Sequence, residues 1–262
     1  MNETTDAPDV LFEKPRDGVL LITLNRPQRH NAFSNNSWEL IAGALSEAET
    51  DDDVRCVVYT GGPKVFAAGS DITQMKSRGM FTKVAAERFR HWDVVHNFPK
   101  PVIAAVNGYA LGGGCEFAMV ADIIIAGESA RFGLPEVNLG LLAGLGGTQR
   151  LVRAVGKSLA MKMILTGEYI DAQKALASGL VAEVTPADQT IPRALDLAET
   201  IAGKSPLTTR FIKEAVLQAF ETGLEAGLAY ERRATVLLFA SEDLDEGVAA
   251  FLEKRKPDFK GR

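Results

Sequence analysis

The spacing of apolar positions divides the chain into a strand-rich first part and a helical last part. Short apolar runs closed by glycine or proline are typical of strands buried on both faces, and they alternate with stretches of helical periodicity. We predict strands over 10–13, 19–25, 55–59, 102–106 and 123–126, with helices over 35–50, capped by Asn35 or Asn36, 85–97 and 112–120. This alternation indicates an α/β architecture with crossover helices.

Helical periodicity dominates beyond about residue 146. Helical segments are predicted over 151–166, 172–178, 191–203, 207–239 and 244–254, with Gly223 and Gly227 as kinks rather than ends. No linker or repeat separates independent domains. We therefore expect a disordered tail over 1–9, a core over 10–200 and a C-terminal helical region over 201–262, which could cover the chain's own core or a neighbouring subunit.

Composition and charge exclude several function classes. The 262 residues are 46% hydrophobic and 24% charged, as in an ordinary globular protein, and the net charge is -5. Basic residues cluster only at the very end of the chain, so no nucleic-acid partner is expected. The two cysteines have neither metal-ligand nor disulfide-framework spacing. Without a signal sequence or a long apolar span, the chain is expected to be cytoplasmic and not membrane-bound.

Two segments with small residues follow predicted buried strands. In 66–72, small residues at 67–70 allow close approach of a ligand to the backbone, and Asp71 can cap the next helix. This segment predicts an anion or oxyanion site, or else an ordinary turn. In 107–116, three glycines open a helix, so the N–H of Gly113 suits an oxyanion, and Glu116 lies on the same face. Alternatively, Glu116 only complements the helix dipole.

A third segment, 132–140, supplies a second carboxylate. Pro135 suits a helix start, which places Glu136 in the first turn. Two glutamates can divide general acid and base roles near neutral pH.

Other catalytic motifs are absent from the sequence. No GxSxG elbow of a serine hydrolase is present, and His91 and His96 are five residues apart, whereas paired metal ligands on a helix are four apart.

In this order and spacing, the three segments resemble the enoyl-CoA hydratase/isomerase (crotonase) superfamily. Further matching stretches are 25–27, 31–32, 100–108, 146–151, 156–157, 179–181 and 251–255, so the resemblance covers nearly the whole chain. It implies a crotonase-like spiral of ββα units. It also implies that the C-terminal helical layer supports a homotrimer, commonly paired into a hexamer.

The resemblance also implies roles for individual residues. The backbone N–H groups of Ser70 and Gly113 would polarise a thioester carbonyl, while Glu116 acts as base and Glu136 as acid. Residues implied in binding the substrate are Ala68, Asp71, Ile72, Arg29, His30 and, at the acyl pocket, Leu142. No metal and no separate cofactor is implied, since CoA is part of the substrate. The segment 142–145 departs from many hydratases, which leaves the acyl range open.

The function implied is hydration of a short-chain enoyl-CoA in fatty-acid metabolism, because glutamates stand at both positions. A double-bond isomerase that uses one glutamate is an alternative, and a non-catalytic acyl-CoA- or RNA-binding protein is another. Segments 156–160 and 256–262 look like bacterial hydratases of phenylacetate degradation, such as 2,3-dehydroadipyl-CoA hydratase, which act on an unsaturated dicarboxylyl-CoA. The sequence alone places no basic residue beside the far carboxylate of such a substrate.

Overall fold

The computed structural model describes residues 7–75 and 83–262. Of the expected tail over 1–9, residues 1–6 lie outside the described residues. At its end, Asp9 is tied to the folded chain, since its carbonyl accepts the N–H of Asn25 at 2.8 Å and its carboxylate accepts the Ser34 hydroxyl at 2.5 Å.

The described part of the chain contains two sheets. Its strands are β1 (Val10–Arg16), β2 (Val19–Leu24), β3 (Cys56–Thr60), β4 (Val102–Val106), β5 (Tyr109–Leu111), β6 (Ile123–Gly127), β7 (Arg131–Gly133), β8 (Ile170–Asp171) and β9 (Glu183–Thr185). The larger sheet has the order β1-β2-β3-β4-β6-β9 and is parallel apart from the β1–β2 hairpin. Every residue of β3 and β4 is buried, as their continuous apolar runs predict.

The smaller sheet has the order β5-β7-β8, and its strands β5 and β7 each follow a strand of the larger sheet, β4 and β6. Two residues separate β4 from β5, and single β-bridges join Ala67 to Ala110 and Phe33 to Ser70. The sequence pattern missed β5, β7, β8 and β9. Helices do dominate beyond residue 146, as expected, and the two strands there escaped the pattern because two or three residues are too few to establish a period.

Three helices follow the early strands: α1 (Asn35–Thr50), α2 (Lys83–His96) and α3 (Gly113–Met119). Ser34 caps α1, accepting the N–H of Ser37 at 3.0 Å, which corrects the predicted cap at Asn35 or Asn36. The aromatic side chains of Phe33, Trp38 and Phe117 stack or meet edge to face in the core. This packing fixes α3 against α1.

The rest of the chain is mostly helical. Its helices are α4 (Gly147–Val155), α5 (Lys157–Thr166), α6 (Ala172–Ala177), α7 (Thr190–Ala202), α8 (Pro206–Glu221), α9 (Leu224–Phe239) and α10 (Glu242–Glu253). Two segments predicted as continuous helices, 151–166 and 207–239, are each divided into two helices. Gly156, with φ 77°, separates α4 from α5. Gly223 is the N-cap of α9, so it lies between α8 and α9 and does not kink a single helix.

The helices differ in how much they bury. α7 packs its Ala194, Leu195 and Ala198 on the larger sheet in a second core cluster. In contrast α8, all of which the structure describes, buries none of its residues, and α9 buries only Ala234. In the part of the chain that the structure describes, no helix is long and apolar enough to cross a bilayer. The α/β spiral-core prediction is confirmed by this architecture together with the structural comparisons below.

Candidate active site

Backbone hydrogen bonds and two isolated β-bridges hold the segment after β3 against two neighbouring segments. Ala67 donates to the carbonyl of Tyr109 at 2.9 Å. Phe33 donates to Gly69 at 2.8 Å, and Asp71 donates to Phe33 at 2.9 Å. In this parallel pairing Phe33 is hydrogen-bonded to Gly69 and Asp71, the residues on either side of Ser70. The N–H of Ser70 itself therefore points away from Phe33. The Ser70 amide is thus left to meet a ligand.

Asp71 anchors the end of this segment. Its carboxylate accepts the backbone N–H of Thr73 at 3.1 Å and the Thr73 hydroxyl at 2.6 Å, and lies 3.1 Å from the Arg26 guanidinium. Burial opposes ionisation, but the hydrogen bonds from Thr73 and Arg26 outweigh it and lower the pKa of Asp71. The predicted cap is therefore present, at the 3-10 helix Ile72–Met75.

Gly113 lies beside Ser70. It is the first residue of α3, where an amide N–H has no acceptor within the helix. A Cβ built on Gly113 would be 3.8 Å from the Ser70 nitrogen and 3.3 Å from the Ser70 hydroxyl oxygen. The structure therefore brings together the two amides that the sequence singled out. Two converging N–H groups at a helix N-terminus can stabilise a developing oxyanion.

Glu116 is buried three residues further along α3, with 2% of its surface exposed. One carboxylate oxygen accepts the N–H of Leu145 at 2.6 Å and the N–H of Gly147 at 2.8 Å. Burial raises the pKa of Glu116 above its ordinary value, and these two amides, together with the charges of Arg88 and Arg150, offset that rise only in part. The ionised form of Glu116 therefore has built-in hydrogen-bond donors.

Glu136 has a different environment. It follows Pro135, the first residue of the 3-10 helix Pro135–Leu139, as the proline predicts. Its carboxylate lies against Gly112, where an added Cβ would be 2.9 Å from Oε1. The other oxygen, Oε2, is buried and has no hydrogen-bond partner among the described residues. Burial raises the pKa of Glu136 to about 7, and the nearby charge of Glu116 adds to the rise.

The two carboxylates and two amides form one cluster. Gly112, next to Gly113, lies beside the Glu136 carboxylate, and the N–H of Gly147 donates to the Glu116 carboxylate. Such a cluster can polarise a carbonyl and hold two proton-transfer groups beside it. Cys115, which precedes Glu116 in α3, is fully buried, as predicted, and burial raises the pKa of its thiol.

The predicted substrate-binding residues adjoin residues of this cluster along the chain, since Ile72 is two residues from Ser70 and Leu142 is three residues before Leu145, which donates to Glu116. Ala68 donates its N–H to the carbonyl of His30 at 3.0 Å, so the Arg29–His30 turn adjoins the segment that contains Ser70. Ile72 and Leu142 have 56% and 70% of their surfaces exposed. Apolar side chains left in water beside a polar cluster are typical of a binding cleft for an amphipathic ligand.

Two arginines that sequence reasoning missed complete the cluster. Arg88 of α2 donates through Nη2 to the Ser70 hydroxyl at 2.5 Å. Arg150 of α4 donates to the carbonyl of Leu145 at 3.0 Å and lies 2.7 Å from Nδ1 of His96. His96 is thus a packing partner, consistent with its expected non-catalytic role. Arg150 falls in the matching stretch 146–151 and Arg88 in none, but the sequence assigned a site contact to neither, so only the folded chain reveals their positions.

Comparison with known proteins gives concordant matches. A family model described as enoyl-CoA hydratase/isomerase matches residues 14–262. The chain is 50% identical over 244 residues to 2,3-dehydroadipyl-CoA hydratase of Escherichia coli (strain K12), covering 93% of this chain and 96% of that protein. It is 47% identical over 242 residues to the mitochondrial enoyl-CoA hydratase of Pongo abelii, covering 92% and 83% respectively.

Solved structures agree with these sequence matches. The crystal structure of enoyl-CoA hydratase from Bacillus anthracis superposes with a TM-score of 0.92 at 36% identity, covering 97% of this chain and 100% of that chain. An enoyl-CoA hydratase subunit from Geobacillus kaustophilus HTA426 gives a TM-score of 0.90 at 41% identity, with 97% and 98% coverage.

Proposed function

Because the chain belongs to the enoyl-CoA hydratase/isomerase family, we propose that it hydrates enoyl-CoA thioesters with Glu116 and Glu136 as its acid/base pair. Its relatives named as hydratases support an enzyme of the hydro-lyase class. Family membership alone leaves the reaction open, since one fold hosts many chemistries. The choice of hydration therefore depends on the site.

The reaction needs three groups in fixed positions. The N–H groups of Ser70 and Gly113 would bind the thioester oxygen, which gains negative charge as carbon 3 is attacked. Glu116 would accept a proton from a water molecule whose oxygen bonds to carbon 3. Glu136 would donate a proton to carbon 2. The elements of one water are thus added, and the glutamates are left with their protonation exchanged until a proton passes between them or through solvent.

The observation that supports this assignment is the unequal hydrogen bonding of the two carboxylates. Glu116 accepts two backbone N–H groups, which favour its ionised form and suit a base. Glu136 has a buried oxygen without a partner, and its pKa is raised to about 7, so the proton needed by an acid is retained near neutral pH. A pair of carboxyl groups in such different environments is what acid/base catalysis requires.

For substrate binding, we propose a short-chain enoyl-CoA as the default. CoA would lie along the backbone of 68–72, with Arg29 and His30 towards its nucleotide end and Leu142 at the acyl pocket. No metal or separate cofactor is needed in this scheme, because the amides supply the electrophilic stabilisation and the carboxylates move the protons.

We further propose that the protein is a homotrimer or a dimer of trimers in the cytoplasm. Support comes from α8 and α9, which bury almost nothing within the chain. Large apolar side chains remain exposed on α8–α10: Ile212, Val216, Leu217, Phe220, Leu224, Val236, Leu237, Phe239, Leu244, Val248, Phe251 and Leu252. Exposed apolar area of this extent marks a protein-protein interface.

The decisive experiment follows the loss of enoyl absorbance with crotonyl-CoA. Wild type should turn over, and Glu116→Gln and Glu136→Gln should each lower kcat by roughly 10²- to 10⁴-fold, because each removes one proton-transfer group but keeps the side-chain shape. Glu128→Gln, at an exposed glutamate outside the cluster, is the matched control and should keep wild-type activity.

Two results would count against the proposal. If wild type hydrates neither crotonyl-CoA nor longer enoyl-CoAs, the hydratase assignment is wrong. If instead it shifts the double bond of a 3-enoyl-CoA and only one of the two glutamates matters, the protein is an isomerase that uses a single carboxylate.

A further inference from the structure

The turn 145–147, which leads into α4, supplies both amides that bind Glu116, and a side chain of α4 holds this turn. Arg150 donates through Nη1 to the carbonyl of Leu145 at 3.0 Å. That carbonyl belongs to the peptide group between Leu145 and Gly146. The peptide groups on either side of it carry the N–H groups that donate to Oε1 of Glu116, at 2.6 and 2.8 Å. Arg150 therefore holds the peptide group that lies between the two donors.

The close approach of Arg150 to the turn depends on Gly146. A Cβ added to Gly146 would collide with Nη1 of Arg150, and the φ of this residue is 99°, in the left-handed region that favours glycine. The guanidinium thus occupies the space that a side chain at this position would fill. The backbone of the turn and the guanidinium fit together only because residue 146 is a glycine.

Helix α2 fixes the other side of the same guanidinium. Nη2 of Arg150 lies 2.7 Å from Nδ1 of His96, and Nδ1 must be the acceptor because arginine has only donors. The guanidinium carbon lies 5.9 Å from the ring centroid of the buried Trp92. Contacts from two helices leave the group little freedom to move, so the carbonyl of Leu145 is bonded to a fixed point.

The charge of Arg150 acts on Glu116 in the same direction as the amides. The charged groups that face Glu116 are Arg88 from α2, Arg150 from α4 and the carboxyl group of Glu136. Both arginines oppose the effect of burial, which raises the pKa of Glu116. Arg150 therefore acts on this carboxylate in two ways, through the turn that it holds and through its charge.

We propose that Arg150 is a positioning residue for the base of the reaction, which holds the turn 145–147 so that its two amides stay bonded to Glu116. This inference rests on the proposed hydratase function. Without the guanidinium, the central peptide group of the turn loses its donor and Glu116 loses a nearby positive charge. A larger fraction of Glu116 is then protonated at a given pH, and a protonated carboxyl group cannot act as the base.

The test measures kcat on crotonyl-CoA as a function of pH for wild type and Arg150→Met. The variant should lower kcat at neutral pH roughly 10- to 100-fold and change KM little, because it displaces a proton-transfer group and removes no contact with the substrate. The pH below which kcat falls should move upwards. Arg150→Lys keeps the charge but not the planar fork, so it should move this pH less, in the same direction, and recover part of kcat.

A second measurement is independent of turnover. Hydrogen–deuterium exchange in a peptide that spans 141–147 should be faster in Arg150→Met than in wild type, because the turn is no longer held. Arg153→Met is the matched control for both measurements. Arg153 is on the same helix but is exposed, and it donates to the carbonyl of Gln149 one turn earlier in α4. This control should keep the pH profile and the exchange of wild type.

Two results would overturn the inference. If Arg150→Met loses activity but its kcat falls below the same pH as in wild type, Arg150 contributes to the fold and not to the base. Unchanged exchange over 141–147 would show that the turn does not need the guanidinium. A wild type without turnover contradicts the proposed function instead, and the exchange measurement still decides whether Arg150 holds the turn.

Discussion

The carboxyl group of Glu136 is held where its ionised form is disfavoured. Burial raises its pKa from 4.5 to about 7, and Oε2 has no donor nearby among the described residues. A group with a raised folded-state pKa contributes stability that is fully present below the unfolded pKa, near 4.5, and is lost as pH rises through about 7. Glu136 is therefore a residue whose chemistry opposes stability at neutral and alkaline pH.

We expect Glu136→Gln to become more stable relative to wild type as pH rises from 5 to 8. The amide cannot ionise, so the variant avoids the cost that wild type meets over this interval. Thermal unfolding at both pH values measures the difference in Tm. Glu128→Gln, at an exposed glutamate, should show no such trend. A difference in Tm that stays constant between pH 5 and pH 8 would show that the environment of Glu136 does not favour the protonated form.

The sequence located the principal residues of the cluster because their chemistry depends on local spacing. Gly113 and Glu116 share a helix face three residues apart, and Pro135 places Glu136 at the start of a helical turn. The unequal hydrogen bonding of the two glutamates was not predictable. It depends on Leu145 and Gly147, whose amides reach Glu116 only after the chain has folded around α3.

At the level of secondary structure, the approach of Gly112 to Glu136 couples a backbone conformation to catalysis. Gly112 is the N-cap of α3 with φ 52°, and a Cβ there would be 2.9 Å from the Glu136 carboxylate. Gly112→Ala should destabilise the fold by about 1–3 kcal/mol, because a residue with a Cβ is strained in this backbone conformation. It should also lower kcat about 10²-fold, since displacing Glu136, the proposed acid, weakens proton transfer.

Gly43→Ala provides the contrast for this prediction. Gly43 lies in the interior of α1, and nothing is within 4 Å of an added Cβ. This change should stabilise the protein by about 0.5–1 kcal/mol, because alanine favours helix, and leave kcat unchanged. Denaturant unfolding and the crotonyl-CoA assay measure both quantities. Full activity in Gly112→Ala would mean that Glu136 tolerates displacement or is not the acid.

The main strands and helices were predictable where they are long. Strand β4 and helix α1 match their predicted positions, since five buried apolar residues or four turns of periodicity give a clear signal. Strands β5 and β8 were missed because they have only three and two residues. They form through pairing with segments distant in sequence, which a local pattern does not record.

For the whole molecule, the C-terminal helices present the largest contrast between sequence pattern and burial. Their apolar periodicity predicts a buried face, yet α8 leaves all of its described residues at least partly accessible. Polar contacts attach the region to the core: Lys213 lies 2.9 Å from Asp122, and Arg55 donates to the carbonyl of Phe259 at 3.0 Å. The apolar side chains themselves are therefore available to another subunit.

Val236 and Phe239 of α9 test this arrangement, because they are three residues apart on one side of the helix and 67% and 70% exposed. Light scattering after size exclusion should give wild type a mass that is a multiple of the 28.2-kDa chain. Placing charges at a buried apolar interface is costly, so the double variant Val236→Glu/Phe239→Glu should shift the mass towards a single chain. Phe12→Glu, at a 40% exposed aromatic of β1, should leave it unchanged. A monomeric wild type would contradict the proposed assembly and leave the apolar face of α9 exposed to water.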